Sequence, residues 1–293
     1  MSLPILVAID DSACSERAAR LAGSLAVKLS TRVVVMHVAK ESRRHELIED
    51  EATGEALLTR FKNMVGPGVD LKTRLTHGED VALSIVETAN VEGCAMIVMG
   101  THGREGVQRL LLGSVAERVT RLANVPVMLS RGKATPGQEV AFGEVLVALD
   151  GSTASILALG QALELASVLH AKLALLHVIP DVSLPAMGAM GVYVDVNVQD
   201  GERRLREAGQ AVLSAAADRA AASNVAAETL LYQAGQERPG DVIVRLASER
   251  GCGLIVMGTH GRSGFDRLLL GSVAERVAHR AEQPVLLVRS KDQ

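Results

Sequence analysis

The chain carries one glycine-rich stretch twice, and its residue types are suited to holding phosphate. Residues 97–119 read IVMGTHGREGVQRLLLGSVAERV, and residues 255–277 repeat 20 of these 23 positions. Each copy has two glycines after an apolar run and a Gly-Ser pair further on, where an amphipathic segment begins. Glycine lets a ligand approach main-chain N–H groups, and a helix start offers unpaired N–H donors and the positive end of a dipole. The spacing therefore predicts a polyphosphate cradle in each copy.

The polar side chains of the stretch allow two interpretations. Ser114 and Ser272 can add hydroxyl donors to the cradle, and Arg104 and Arg262 can add a mobile cation. Ser-Val-Ala-Glu is also a capping box, in which serine and glutamate satisfy the amides of a helix end without any ligand. Both interpretations stay open here, and they are compatible with each other.

Further paired motifs surround the glycine stretch in both halves. The pattern G-x2-G-x9-G-S is accompanied by VAIDDS at 7–12 and VALDGS at 147–152, and by PVMLSR at 126–131 and PVLLVR at 284–289. Together they resemble the nucleotide-binding signature of the universal stress protein family, in its ATP-binding subtype. The resemblance covers nearly the whole chain as two tandem copies. It implies an α/β fold of two Rossmann-like (adenine nucleotide alpha hydrolase-like) domains, each a five-stranded parallel sheet with helices on both faces.

The resemblance also implies where a nucleotide binds. Asp10 and Asp150 are expected to contact ribose or adenine, with capping of the following helix together with Ser12 or Ser152 as the alternative. The expected binding residues of the first half are Ala8, Asp10, Val38, Met99, Gly100, His102, Gly103, Arg104, Gly113, Ser114 and Val115. Those of the second half are Ala148, Asp150, Val178, Met257, Gly258, His260, Gly261, Arg262, Gly271, Ser272 and Val273. The expected ligand is ATP, with AMP or ADP as alternatives and Mg²⁺ carried on the phosphates.

Strand-like and helix-like segments alternate along both halves, which predicts parallel sheets with right-handed crossovers. We predict a first domain at 1–132, a linker at 133–143 that contains Gly and Pro, and a second domain at 144–293. The second half has extra residues at 181–201, which are interpreted as a lid, a partner surface or a loop on its own domain. The apolar strands 126–130 and 284–288 are expected at sheet edges, which proteins usually cover. We predict that they pair with each other and form an internal pseudo-dimer, with a homodimer left open.

Composition narrows the function classes. The net charge of −3 gives no electrostatic footprint for nucleic acid or anionic membrane. No apolar run reaches the length of a membrane span, and the apolar N-terminus is short for a signal peptide. Cys14, Cys94 and Cys252 lack metal-ligand spacing and are predicted to be structural thiols in a reducing compartment. These features predict a cytoplasmic protein without a metal centre.

The motifs favour nucleotide binding over fast catalysis. The glycine loops lack a Walker-type Gly-Lys-[ST], and their acidic positions, Glu105 and Asp266, are not shared between copies. His37 and His177 are predicted to pack and hydrogen-bond locally rather than to act as acids or bases. The leading hypothesis is an ATP-binding regulatory or stress-response protein that acts on an unknown protein partner. A slow ATPase or adenylate-transferring enzyme and a nucleotide-free interaction module are the alternatives.

Overall fold

The computed structural model describes residues 3–39, 46–66, 68–101, 112–132, 141–180, 198–261 and 270–290, with the side chains of 46–51 and 198–199 left aside. The first half contains β1 (Ile5–Ala8), α1 (Ala13–Leu29), β2 (Val33–Ala39), α2 (Glu46–Val65), β3 (Leu71–His77), α3 (Val81–Val91), β4 (Met96–Gly100), α4 (Ser114–Leu122) and β5 (Val127–Ser130). The second contains β6 (Glu144–Ala148), α5 (Thr153–Leu169), β7 (Lys172–Ile179), α6 (Val198–Ala222), β8 (Ala227–Gln233), α7 (Pro239–Glu249), β9 (Leu254–Gly258), α8 (Ser272–Arg280) and β10 (Val285–Val288).

The strands form one ten-stranded sheet in the order β3-β2-β1-β4-β5-β10-β9-β6-β7-β8. Within each half all neighbouring strands are parallel. The halves meet where β5 and β10 pair antiparallel, with Met128 opposite Leu286. The predicted α/β class is confirmed, and so is the predicted pairing of the two last strands.

Helices cover both faces of the sheet, because the side chains of the inner strands are mostly apolar on both faces. Alternate strand residues, such as Ile5 and Val7, belong to a core that includes residues of α1, α2, α5 and α6. Their neighbours, such as Leu6 and Ala8, belong to a second core that includes residues of α3, α4, α7 and α8. Strands buried on both faces read as continuous aliphatic runs, and this explains why Val, Ile, Leu and Ala dominate the sequence.

Side chains reach across the junction of the halves to main-chain carbonyl groups. Arg17 of the first half donates from Nη2 to the carbonyl of Glu282 in the second half at 3.0 Å, and from Nη1 to the carbonyl of Arg131 in its own half. Arg289 donates in the same way to the carbonyl of Arg121. The two halves are therefore joined by backbone pairing and also by charge-assisted hydrogen bonds.

Cys94 and Cys252 lie at matching positions just before β4 and β9. Both thiols are buried, and burial raises the pKa of each to about 11. Because the thiolate is the reactive species, these two thiols stay protonated and inert at neutral pH. The structural role predicted for them agrees with this environment.

Ser130 ends β5 beside the junction and offers a test of polar burial. Its side chain is fully buried, and its hydroxyl has no hydrogen-bond partner among the described residues. The second half has Val288 at this position. We expect Ser130→Ala to raise the free energy of unfolding by about 1 kcal/mol, because it removes a desolvated polar group that gains no bond in return.

The comparison variant for this prediction is Thr31→Val. Thr31 is also buried, but its Oγ1 donates to the carbonyl of Leu3 at 2.7 Å. Thr31→Val removes this hydroxyl and leaves the Leu3 carbonyl without its donor. We therefore expect the free energy of unfolding of Thr31→Val to be lower by about 1 kcal/mol. Urea denaturation of both variants measures the two changes. A destabilised Ser130→Ala protein would mean that the Ser130 hydroxyl has a stabilising partner.

Candidate functional site

The strand order reverses at β1 in the first half and at β6 in the second. β1 lies between β2 and β4, and β6 lies between β7 and β9. In open parallel sheets such a switch point forms a crevice beyond the carboxyl ends of the strands, where ligands bind. Four predicted residues face each other in the pairing register there: Ala8 opposite Met99, and Ala148 opposite Met257.

Helices α4 and α8 begin at this edge of the sheet with no side-chain cap. The N-cap residue is glycine in both, Gly113 and Gly271, with φ −60° and ψ 141°. Ser114 and Ser272 are exposed and are the first helical residues, one position past the N-cap. The capping-box interpretation is therefore wrong, because each serine lies one residue too late to cap its helix. Within the described residues, the first amides of both helices remain available to an anion.

The base of each glycine loop is closed by a main-chain hydrogen bond. The Gly113 N–H donates to the Thr101 carbonyl at 2.8 Å, and the Gly271 N–H donates to the Thr259 carbonyl at 2.9 Å. Both threonines are buried and continue from β4 and β9. A Cβ on Gly271 would lie 2.9 Å from the Thr259 oxygen, so the close approach requires glycine. The loop ends are thus fixed to the sheet, and the helix start is held beside the strand end.

In the second half, the structure brings the carboxylate of Asp150 to the glycine loop. A Cβ on Gly261 would lie only 2.7 Å from Asp150 Oδ2, so this glycine leaves room for the carboxylate. Ser152 Oγ donates to Asp150 Oδ1 at 2.6 Å and contacts the carbonyl oxygen of His260 at 3.4 Å. Asp150, His260 and Gly261, which were predicted from two distant motifs, therefore meet at one place.

In the first half, Asp10 belongs to a hydrogen-bonded turn. Its Oδ1 accepts from Ser12 Oγ at 2.5 Å, from Ser15 Oγ at 2.6 Å and from the Ser12 N–H at 3.1 Å. Ser12 in turn is the N-cap of α1 and accepts from the Ser15 N–H. Asp10 does not cap the helix itself but fixes the serine that does. Its second oxygen, Oδ2, accepts none of these bonds.

Val38 and Val178 lie near the ends of β2 and β7, on the opposite side of β1 and β6 from the glycine loops. A ligand that contacts both a valine and a loop must therefore cross the aspartate strand. The preceding histidines are buried, and their Nδ1 atoms contact the carbonyls of Ile9 and Leu149 at 2.9 and 2.7 Å. This confirms the predicted local role of His37 and His177.

Some predicted site residues lie outside the described residues. They are His102, Gly103, Arg104 and Arg262. The extra segment of the second half lies outside them as well from 181 to 197, and so does the linker from 133 to 140. Conversely, sequence reasoning missed Thr101 and Thr259, whose carbonyls close the loops. Their signal was present, since both copies read Gly-Thr-His at the end of the strand.

The repeat, its fold and its site can be compared with known proteins. The model of the universal stress protein family matches this chain twice, at residues 1–131 and 141–289. The chain belongs to the universal stress protein family. A universal stress protein of Mycolicibacterium smegmatis is 28% identical, and the alignment covers 98% of this chain and 97% of that one. Universal stress protein YxiE of Bacillus subtilis is 38% identical over 50% of this chain and 99% of its own length.

A solved structure has the same fold over nearly the whole length of both chains. The crystal structure of a universal stress protein from Archaeoglobus fulgidus has a TM-score of 0.70 to this chain. The sequence identity is 20%, and the match covers 99% of this chain and 97% of that one. At this sequence identity, the likeness shows that the two proteins share a fold. No helix in the described ranges of this universal stress protein is both long and apolar enough to cross a membrane.

Proposed function

We propose that this universal stress protein binds adenine nucleotides, ATP above all, with one site in each domain. The residues proposed to hold it are those predicted from sequence, including the four loop residues outside the described ranges. In this proposal nucleotide occupancy is the signal, and a protein partner in the cytoplasm responds to it. The observation that carries the proposal is the start of α4 and α8, where a glycine N-cap leaves the first amides uncapped among the described residues in both copies.

The geometry supports a phosphate at these two positions. A phosphate oxygen at the helix start would accept main-chain N–H bonds and meet the positive end of the helix dipole. Ser114 and Ser272 are exposed at the same helix starts, so their hydroxyls can donate to the same phosphate. When a metal accompanies a polyphosphate, it neutralises part of the charge on the phosphate oxygens. The Gly-Ser pair at each helix start therefore leaves room for a phosphate group beside the main-chain amides.

The nucleoside would lie over the middle strand of each crevice. Asp150 reaches the second glycine loop with Oδ2, and a carboxylate there can accept hydrogen bonds from ribose hydroxyls. Val38 and Val178 flank the aspartate strand on its far side, where main-chain groups can meet the adenine ring. In this proposal the base, sugar and phosphates lie along three adjacent strands.

The bonding of Asp10 favours a binding protein over a fast enzyme. Its Oδ1 is held by two serine hydroxyls and one amide, which suits a fixed acceptor more than a base that must take a proton from water. Slow hydrolysis at the same site stays an alternative. A release assay for phosphate or AMP with an Asp10→Ala/Asp150→Ala control separates the two.

The direct experiment identifies the resident ligand. Purified protein is denatured, and the released small molecules are separated and weighed by mass spectrometry. We expect adenine nucleotide at up to two molecules per chain, and we expect nucleotide-stripped protein to bind ATP in calorimetry with Mg²⁺ present. No released nucleotide together with no heat of ATP binding would leave the nucleotide-free interaction module as the better explanation.

A further inference from the structure

The second domain has a groove between α7 and α8 whose arginines the nucleotide proposal does not use. Its volume is about 920 Å³, within the range of small-molecule sites. The lining begins at Ser272 and Val273, at the start of α8, and continues along this helix to Arg280. The start of α7, at Pro239 and Gly240, forms the opposite wall. Two helix N-termini therefore open into the same space.

Arginine dominates the charge of this groove. Among the described residues, its lining contains the arginines Arg131, Arg238, Arg245, Arg276 and Arg280, and the carboxylates Asp241 and Glu275. Asp241 is shared, since Arg276 and Arg280 pair with it at 3.1 and 3.2 Å. One carboxylate thus serves two guanidinium groups, which leaves positive charge uncompensated.

Arg238 and Arg245 differ in how much of their charge is already compensated. Arg245 is paired with Glu237 and Glu249, both at 3.2 Å, and therefore adds little free charge. Arg238 is the exposed N-cap residue of α7, and no ion pair joins it to another described residue. Its guanidinium has the fork of donors that suits phosphate oxygens. Arg238 is accordingly the best single residue for testing this groove.

The first domain lacks this concentration of charge at the matching positions. Residues 80–131 align with 238–289 without a gap, and they have Asp80 for Arg238, Glu87 for Arg245 and Leu122 for Arg280. Asp80 is engaged within its own domain, where it accepts from the Leu83 N–H and pairs with Arg118 at 2.6 Å. These contacts hold the pKa of Asp80 below its usual value. The position at the start of the matching helix thus carries a paired acidic residue in the first domain and a basic residue in the second.

We propose that the α7–α8 groove of the second domain binds a linear chain of phosphate groups, and that the first domain has no such site. The chain runs from the amides at the α8 start toward Arg238, Arg276 and Arg280. Such a chain can be the tail of a nucleotide or a free inorganic polyphosphate. The proposal rests on the phosphate site proposed at the α8 start and extends it, because it adds the arginines of the groove and requires no contact with adenine or ribose.

The test uses inorganic tripolyphosphate and the full chain. We expect calorimetry to show that tripolyphosphate binds, and that its affinity for the groove is about tenfold lower in Arg238→Asp, because one charge-assisted contact is replaced by repulsion. Aspartate is a favoured N-cap residue and is the residue of the first domain, so the helix is retained. Arg204→Asp is the matched control, since Arg204 is an exposed residue of α6 outside the groove lining, and the charge change is identical. We expect its affinity to stay within about twofold of wild type.

Competition separates the two sources of the chain. If ATP displaces tripolyphosphate and AMP does not, the groove holds a nucleotide tail; if neither displaces it, the groove holds the inorganic chain. Absence of tripolyphosphate binding, or equal losses in Arg238→Asp and Arg204→Asp, overturns the proposal even when ATP still binds. Binding of an oligoglutamate peptide that depends on Arg238, without binding of tripolyphosphate, would make the groove a protein-docking surface and would equally overturn it.

Discussion

Replacing Ser114 and Ser272 together by proline is expected to abolish most ATP binding while the fold is retained. Proline at the first helical position removes an N–H that no helical bond uses, so the helix tolerates it. The preceding glycines already have ψ of 141°, the extended value that a residue before proline prefers. The change therefore removes one phosphate donor at each site with little structural cost. Calorimetry should show affinity reduced by about ten- to a hundredfold, the equivalent of a charge-assisted hydrogen bond.

The matched control is Ser114→Ala/Ser272→Ala, which removes the hydroxyls and leaves both amides in place. We expect a loss of affinity several times smaller than in the proline variant, because the main-chain donors carry more of the binding than the side chains. Circular dichroism and thermal unfolding verify that both variants fold. Equal affinities of the proline variant and wild type would show that the phosphates do not sit at the α4 and α8 starts.

Replacing glycine by alanine is expected to change the free energy of unfolding in opposite directions in helices α1 and α5. Gly23 lies buried in α1, and a Cβ there would be 2.0 Å from the carbonyl oxygen of Val65, the last residue of α2. Gly160 lies in α5, where a Cβ would meet nothing nearer than Arg219 Nη2 at 3.8 Å. We expect Gly160→Ala to raise the free energy of unfolding by about 0.5–1 kcal/mol through helix propensity. We expect Gly23→Ala to lower it by about 1–3 kcal/mol, because overpacking outweighs the same gain.

Each variant is the control for the other, since both gain the same helix propensity and only the packing around the new methyl group differs. Urea denaturation followed by circular dichroism gives both free energies of unfolding. A stabilised Gly23→Ala protein would mean that the end of α2 does not press against α1. The same result would remove the packing reason for a glycine in the middle of a buried helix.

Much of the fold was predictable because its signals are local and occur twice. The aliphatic strands, the helices between them and the Gly-Ser starts of α4 and α8 follow from residue periodicity and glycine placement. The pairing of β5 with β10 was predictable as well, because an apolar strand left at a sheet edge needs a partner. The convergence of Asp150 with the glycine loop followed from the rule that parallel strands end at one edge.

Other features depend on distances between elements that no local pattern encodes. The capping box at Ser114 and Ser272 fitted the sequence, and a shift of one residue makes glycine the N-cap instead. The fixing of Asp10 by Ser15 depends on the first turn of α1 folding back toward β1. The groove required both helices to be seen side by side, since Arg238 and Arg280 are far apart in sequence. These features depend on the contacts of single residues, whereas the strands and helices follow from the pattern of many residues along the chain.

Joining the two halves in one polypeptide has a consequence for how each half can change. When a dimer assembles from identical copies, every substitution appears on both sides of its symmetry axis. Here β5 and β10 belong to the same molecule, so a substitution alters one side and leaves the other as it was. Position 121 can remain arginine while its counterpart 279 is histidine, and the latter accepts the N–H of Leu112 from the opposite half. The covalent link thus lets matching positions of the two halves carry different residues with different contacts.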